Sequence, residues 1–268
     1  MTAPESAVES GLAANSCWVL LRGLMREQRH WEDFPQRLAR ALPDAVIVTP
    51  DLPGNGQRHQ LRSAVRVIDS VEFCRADLAA RGLRPPYRLL ALSLGGMVAV
   101  EWAGRYPEEI AGAVLINTSM RPYSRFHQRL RWRNYAAIIG LLLRGGAGRQ
   151  ERQERLILRL TSNDAAARGA LLPRWLDYQR DYPVTRANAL RQLWSAARYR
   201  APSERPAVPL LLLSGRGDRL VDPACSRQLS DAWQVEHQEH PSAGHDLPLD
   251  DGDWVVQTVA PWAAAKPV

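Results

Sequence analysis

The sequence contains little cysteine, almost no lysine and no long apolar run. Its three cysteines, Cys17, Cys74 and Cys225, are too few and too scattered for a disulfide framework or a thiolate metal site. Residues 1–16 hold two glutamates and no positive stretch ahead of an apolar core, unlike a secretory signal. No apolar run approaches the roughly 20 residues that a membrane span requires. We therefore expect a cytoplasmic protein with no membrane span and no metal site.

Arginine supplies nearly all of the positive charge, because Lys266 is the only lysine of the chain. The net charge is +7, and residues 121–205 alone carry 18 arginines and only 6 acidic residues. A basic surface attracts anions, but this one lacks the interleaved aromatic residues on which nucleic-acid bases stack. We expect a solvated basic face and no nucleic-acid partner.

Short apolar runs alternate with amphipathic stretches along most of the chain. This is the pattern of an α/β fold, in which helices cover both faces of a mostly parallel sheet. Helical spacing occurs in Trp31–Leu42 and Val71–Leu78, and Met97–Ala103 is apolar nearly all round, as in a buried helix. About six strands are predicted, at Trp18–Leu21, Ala45–Thr49, Tyr87–Leu92, Ala113–Ile116, Val208–Leu213 and Trp233–His237.

The alternation stops after Asn117 and returns only near Val208. We therefore predict a helical lid over residues 121–205, inserted into a core formed by residues 1–120 and 206–268. Capping residues and a Gly145-Gly146 stop predict three helices within it, over Tyr135–Leu143, from Asn163 or Asp164 towards Asp181, and from Thr185 towards Arg198.

The strongest local motif is Leu89-Leu90-Ala91-Leu92-Ser93-Leu94-Gly95-Gly96, a serine between an apolar strand and a helix. Small residues stand two positions to either side of it, as in a nucleophile elbow. The serine of such a turn has a strained backbone that crowds its neighbours, so Ala91 and Gly95 have to be small. The turn also opens a helix, which directs the N–H of Leu94 towards an oxygen that becomes negative in acyl transfer.

With this motif the chain resembles the α/β-hydrolase superfamily from Trp18 to Trp262. The resemblance implies a three-layer fold in which Ser93 is the nucleophile, with Ala91 where the first glycine is more common. It also implies that His245, in Ala243-Gly244-His245-Asp246, is the general base. The chain order of serine, acid and histidine is the one that this fold uses.

The family places its acid after the next-to-last strand, where Leu211-Leu212-Leu213-Ser214-Gly215-Arg216-Gly217-Asp218 ends in an aspartate. The resemblance therefore assigns Asp218 as the acid that orients His245. Asp222, just before Pro223, is expected instead to cap the next helix. Some relatives carry the acid after the strand that ends here at Ile116, but Asn117 stands there and cannot be an anion.

The second oxyanion donor of the family lies in the loop after the first motif-bearing strand, here Leu21-Arg22-Gly23-Leu24-Met25. Carried over, the backbone N–H of Leu24 joins that of Leu94 in the oxyanion hole. Arg22 replaces the usual histidine, which leaves open how this loop is held. The turn from Asp51 to Arg58 also resembles the family and is expected to border the pocket in a structural role.

The resemblance implies a serine hydrolase that cleaves a carboxylic ester or thioester of a small-molecule acyl substrate through an acyl-enzyme. Haloalkane dehalogenase and epoxide hydrolase relatives use an aspartate nucleophile, so Ser93 argues against their chemistry. No cofactor is expected, because Gly54-x-Gly56 lacks the third glycine of a dinucleotide fingerprint.

Two other functions stay open, as does the oligomeric state. One is a lyase or acyltransferase that uses the same triad on an anionic substrate, as in menaquinone-pathway relatives. It is favoured if arginines of the insertion point into the pocket, such as Arg125, Arg131, Arg133 or Arg174. The other is a non-catalytic ligand- or partner-binding protein. The tryptophans of the insertion fit either an acyl pocket or the insertion's own core, which helical spacing favours: Trp132, Trp175 and Trp194.

Overall fold

A computed structural model describes residues 16–143 and 148–266, with the backbone only for residues 141–143. It contains one sheet of six strands, all paired in parallel, in the order β2-β1-β3-β4-β5-β6. The strands are β1 (Cys17–Leu21), β2 (Val46–Val48), β3 (Tyr87–Leu92), β4 (Ile110–Ile116), β5 (Leu210–Gly215) and β6 (Glu236–His240). The predicted parallel sheet of about six strands is therefore confirmed.

Helices connect these strands and lie on both faces of the sheet. They are α1 (Phe34–Ala41), α2 (Val67–Ala80), α3 (Leu94–Arg105), α4 (Phe126–Arg129), α5 (Tyr135–Leu143), α6 (Arg149–Thr161), α7 (Ala165–Asp181), α8 (Arg186–Arg198), α9 (Ala224–Trp233), α10 (Leu247–Asp250) and α11 (Gly252–Ala264). In the part of the chain that the structure describes, no helix is long and apolar enough to cross a membrane.

Alternate side chains of the central strands enter two separate apolar cores. Leu89 and Ala91 of β3 pack with α2 and α3, whereas Leu90 and Leu92 pack with α1 and α11. Each fully buried leucine contributes about 1.5–3 kcal/mol of burial free energy. These two cores fix β3, and with it the turn that carries Ser93.

Five helices, α4 to α8, lie between β4 and β5, and we call residues 121–205 the insertion. The predicted helix Tyr135–Leu143 and the two later helices are found there, with Asp164 and Thr185 accepting backbone N–H groups at their N-termini. The Gly145-Gly146 stop lies outside the described residues. Trp175 is fully buried with Leu158 and Leu171 in a small core of the insertion itself.

The predicted position of the last strand was wrong by three residues. Trp233 is the last residue of α9, and Gln234 ends that helix with a left-handed backbone, φ 51°. The Trp233 ring packs against Tyr123 and its Nε1 donates to the Tyr123 hydroxyl at 2.9 Å. The apolar character of Trp233 therefore reflects its burial in a helix, and β6 begins only at Glu236.

Candidate active site

Ser93 lies in the sharp turn between β3 and α3. Its backbone has φ 57° and ψ −113°, a conformation that costs a non-glycine residue about 1–3 kcal/mol. The surrounding chain holds it there: Ser93 N donates to Ile116 O at 2.9 Å, and the Thr118 hydroxyl donates to Ser93 O at 2.9 Å. The turn thus has the geometry of a nucleophile elbow.

Gly95 allows this turn to lie directly against β1. A Cβ at Gly95 would stand 2.3 Å from the carbonyl oxygen of Leu21, a backbone atom that cannot move aside. The loop after β1 also lies against the serine itself, because a Cβ at Gly23 would stand 3.3 Å from the Cβ of Ser93. The elbow and the predicted oxyanion loop are therefore in contact.

His245 and Asp218 form a hydrogen-bonded pair at the carboxyl end of the sheet. His245 Nδ1 lies 2.7 Å from Asp218 Oδ2, and both side chains are buried. The other oxygen, Asp218 Oδ1, accepts the N–H groups of Leu220 at 2.7 Å and Val221 at 2.9 Å. The carboxylate is fixed on both oxygens, so it holds the imidazole by Nδ1 and leaves Nε2 outside this hydrogen bond.

The two alternative positions for the acid have other roles. Asp222 Oδ1 accepts the N–H of Ala224 at 3.0 Å, so this side chain caps the start of α9, as expected. Asn117, at φ 45°, donates from Nδ2 to Gly244 O at 3.1 Å and to His245 O at 2.8 Å. Its Oδ1 accepts Gly215 N at 3.0 Å, so one amide connects the histidine loop with the end of β5.

The two backbone amides predicted to form an oxyanion hole lie at the start of α3 and in the loop after β1. Leu94 is the first residue of α3, where an N–H has no acceptor within the helix. In the loop after β1, Met25 N donates to Gln192 Oε1 at 2.8 Å and Arg26 N to Gly23 O at 3.3 Å. Those two amides already have acceptors, so neither is available as the second donor that the sequence assigns to Leu24.

Arg22 joins the loop after β1 to the histidine loop. Its two terminal nitrogens donate to the two carboxylate oxygens of Asp246 at 3.1 and 2.5 Å, and each side chain is 4% exposed. The guanidinium also lies over the ring of Trp31, 4.6 Å from its centroid. The sequence around Arg22 did not reveal Asp246 as its partner. The loop after β1 is held by this buried, bidentate ion pair.

A largely apolar cavity of about 360 Å³ opens above Ser93 between the core and the insertion. Ser93, His245, Leu24 and Leu94 all lie in its wall. The structure thus brings these four predicted residues to one cavity, with Asp218 behind His245. The Asp51–Arg58 turn does not line this cavity, contrary to expectation. Asn55 of that turn accepts a hydrogen bond from Gln192, which in turn binds Met25 in the cavity wall.

Arginines of the insertion do line the cavity, but not those suggested by the sequence. Arg174 pairs with Glu32 at 2.7 Å, and Arg133 lies over Trp132. The arginines in the wall are instead Arg129, Arg149 and Arg186.

Burial lowers the pKa of two of these arginines. Arg129 donates to the carbonyl oxygens of Ala196 and Ala197 at 2.6 and 3.2 Å, and burial is the main cause of its lowered pKa. The pKa of Arg149 is lowered by burial and then by the charge of nearby Arg186. The guanidinium groups of Arg129 and Arg149 therefore place positive charge in the cavity wall where they are partly shielded from water.

Other candidate groups lie away from the cavity. Trp132 and Trp194 are 64% and 54% exposed, so they form neither an acyl pocket nor a core, whereas Trp175 has the predicted core role. Cys74 and Cys225 are buried, which raises the pKa of their thiols to about 12 and about 11. Within residues 16–143 and 148–266, no group of three or more His, Cys, Asp and Glu side chains could hold a metal ion.

Comparison with known proteins identifies the family of the chain. The model of the alpha/beta hydrolase family matches residues 18–258. The chain belongs to the alpha/beta hydrolase family. RutD of Cronobacter sakazakii, which is described as a carbamate hydrolase, is 27% identical over 227 residues, which cover 80% of this hydrolase and 77% of RutD.

Two further similarities are more limited. The biotin biosynthesis bifunctional protein BioHC of Teredinibacter turnerae is 35% identical over 105 residues, 39% of this hydrolase, which spans only 17% of BioHC. Among solved structures, an esterase from Thermogutta terrifontis superposes with a TM-score of 0.72 over 94% of this chain and 91% of that one. At 18% identity, this last similarity shows the shared fold alone.

Sequence reasoning did not identify Asn117, Asp246 and Gln192 as parts of the site. Asp246 follows His245 directly, and Asn117 follows β4 at the same edge of the sheet as Ser93, so both positions could have been singled out. Gln192 carries no comparable signal. It lies on a helix of the insertion, and only the tertiary structure brings it to the loop after β1.

Proposed function

We propose that the protein is a serine hydrolase that cleaves carboxylic esters or thioesters. The observation that carries the proposal is a cavity whose wall holds Ser93, on an elbow turn, and His245, whose Nδ1 is bound to the buried carboxylate of Asp218. A serine needs an adjacent base to become nucleophilic, and an imidazole fixed in this tautomer offers Nε2 as that base.

In the proposed reaction, Ser93 Oγ attacks the acyl carbon while His245 Nε2 takes its proton. The carbonyl oxygen becomes negative and is stabilised by the N–H groups of Leu24 and Leu94. Collapse of this intermediate breaks the ester or thioester bond, and His245 returns the proton to the leaving alcohol or thiol. Water then attacks the acyl-Ser93 ester by the same route and releases the acid.

The insertion would act as a lid in this reaction. It supplies one side of the cavity, including Leu156 and Leu160 of α6 and Leu193 of α8. These apolar side chains suit a hydrocarbon acyl group of small to medium length, which a cavity of about 360 Å³ can enclose.

The test is the rate of hydrolysis of p-nitrophenyl esters of increasing acyl length. We expect the wild type to turn over with one optimal chain length and Ser93→Ala to fall to the buffer rate. Ser119→Ala is the matched control, because Ser119 is a buried serine in the wall of the same cavity. Equal rates for wild type and Ser93→Ala, or an equal loss in Ser119→Ala, would contradict the proposal.

We further propose that the substrate of this hydrolase is an anion. Arg149 and Arg186 lie in the wall close enough for the charge of one to lower the pKa of the other. Two like charges at the edge of an apolar cavity would be stabilised by a ligand anion such as a carboxylate, which guanidinium groups bind in bidentate geometry. The same feature favours the second candidate, a lyase or acyltransferase acting on an anionic substrate.

This part is tested with pairs of p-nitrophenyl esters of equal length that end in a methyl group or in a carboxylate. We expect the carboxylate ester to have the lower KM, and Arg186→Gln to remove that difference without changing the rate on the methyl ester. If the wild type prefers the methyl ester, the substrate is not anionic and the arginines are a solvated face.

A further inference from the structure

The loop after β1 has a backbone conformation that requires support from outside the loop. Gly23 O accepts Arg26 N at 3.3 Å, which closes a four-residue turn, and Met25 at its third position has φ 55°. A positive φ at this position is normal for glycine or asparagine but costs other residues about 1–2 kcal/mol. Leu24, the proposed oxyanion donor, precedes this strained residue.

Gln192 of the insertion supplies that support. Its Oε1 accepts the N–H of Met25 at 2.8 Å, and the side chain is almost fully buried. Its Nε2 donates to Asn55 Oδ1 at 2.9 Å and to Ser63 Oγ at 3.0 Å. Because both amide protons are bound by the core, the acceptor oxygen is held in one orientation towards Met25.

We propose that Gln192 is a positioning residue for the oxyanion hole. By binding the peptide between Leu24 and Met25 it fixes the loop that carries Leu24, so this one hydrogen bond, and not the seating of α8 as such, controls transition-state stabilisation. The proposal rests on the hydrolase function proposed above. A second contact acts in the same direction, since Arg26 of this loop pairs with the buried Glu154 of α6 at 2.9 Å.

Asn188 provides a matched control on the same helix. It lies four residues before Gln192 and is also almost fully buried. Its side chain accepts Ser63 N at 2.9 Å and donates to Leu61 O at 3.0 Å, so it seats α8 on the core without touching the loop after β1. Substitution of Asn188 weakens the seating of the helix but leaves the bond to Met25.

The experiment compares Gln192→Met with Asn188→Leu, using kcat and KM for the best p-nitrophenyl ester and the inhibition constant of a matching trifluoromethyl ketone. That ketone adds to an active serine and places an oxyanion in the hole. We expect Gln192→Met to lower kcat about 10- to 100-fold at nearly constant KM, somewhat less than outright loss of a donor. The inhibition constant should rise by the same factor, while Asn188→Leu changes both values less than about threefold.

Equal losses in both variants, or a loss in Gln192→Met confined to KM or to thermal stability, would overturn the proposal. If Gln192→Met does not fold, Gln192→Asn is measured instead, because it keeps an amide but withdraws the acceptor by one methylene. Failure of the hydrolase function itself is distinct, since the wild type would then show no Ser93-dependent turnover and no inhibition by the ketone.

Discussion

At the scale of single residues, Asn117 shows why an amide stands at the end of β4. Its Nδ2 donates to two carbonyl oxygens of the histidine loop while its Oδ1 accepts the N–H of Gly215. A carboxylate could keep only the last of these bonds and would face two carbonyl oxygens with no proton to offer. The side chain is directed at the backbone of Gly244 and His245, whereas Asp218 holds the imidazole itself.

Asp218→Asn is therefore predicted to be inactive in a way that an acid at position 117 cannot correct. Loss of the carboxylate disturbs the imidazole tautomer, and in serine proteases the equivalent change lowers kcat by about 10⁴. We expect the double variant Asp218→Asn with Asn117→Asp to be no faster than the single one, measured as kcat on the best aryl ester. Recovery to within about tenfold of wild type would show that position 117 can supply the acid.

The pair of Arg22 and Asp246 gives a second prediction at this scale. Arg22→Met should lower the free energy of unfolding by about 3–5 kcal/mol, because it leaves the Asp246 carboxylate buried without a partner. The double variant Arg22→Met with Asp246→Leu should be less destabilised than Arg22→Met alone, since it leaves no buried charge. Both values come from urea denaturation at neutral pH.

The control for this prediction is the ion pair of Arg37 and Asp253, which joins α1 to α11 at 2.8 Å. Its aspartate is 67% exposed, so Asp253→Asn should cost less than about 1 kcal/mol. A double variant as unstable as Arg22→Met alone, or less stable, would mean that burial of the charge is not what makes Arg22→Met costly.

At the scale of elements, His30 joins the segment after β1 to the insertion. It lies in the short 3-10 turn Gln28–Trp31 and contacts Trp175 and Tyr178 of α7 edge-on, at centroid distances of 4.8 and 5.4 Å. Burial, followed by the charges of Arg26 and Arg22, holds the pKa of His30 well below its usual value. This contact between core and insertion is therefore made by a neutral imidazole.

The lowered pKa predicts that acid weakens this contact. Below about pH 6.5 the unfolded chain takes up a proton at His30 that the folded chain does not, so the free energy of unfolding falls with falling pH. His30→Asn keeps an acceptor near the position of Nδ1 and does not titrate. Its stability deficit relative to wild type should shrink by about 1 kcal/mol between pH 7 and pH 5.5, measured by urea denaturation. A constant deficit would show that His30 is free to protonate in the fold.

Sequence patterns located elements well where apolar periodicity or a cap was strong. The helix over Tyr135–Leu143 and the caps at Asp164 and Thr185 were predicted, since these signals are local. Helix α6 was missed because its first turns are almost wholly arginine, glutamate and glutamine, and β6 was misplaced because its sequence is polar. Tertiary contacts decide both elements: one face of α6 is buried at Glu154, Leu158 and Thr161, and β6 is formed by its parallel pairing with β5.

At the scale of the whole molecule, the site is formed where the sheet edge, the loop after β1 and the insertion meet. Ser93, Asp218 and His245 could be proposed from sequence because each follows a strand with its own motif. The contacts that hold the loop after β1, from Asp246, Glu154 and Gln192, depend on residues 128 to 224 positions away along the chain. No local pattern encodes such distant pairings, and the same holds for which arginines reach the cavity.

The role of Ser93 as an activated nucleophile is tested most directly by labelling with a fluorophosphonate, which reacts with a serine only when a base activates it. Intact mass and peptide mapping would report the number and position of adducts on wild type, Ser93→Ala and Ser119→Ala, without any assumption about substrate. We expect one adduct at Ser93 in wild type and Ser119→Ala, and none in Ser93→Ala. An unlabelled wild type, or an adduct that persists in Ser93→Ala, would contradict Ser93 as the nucleophile.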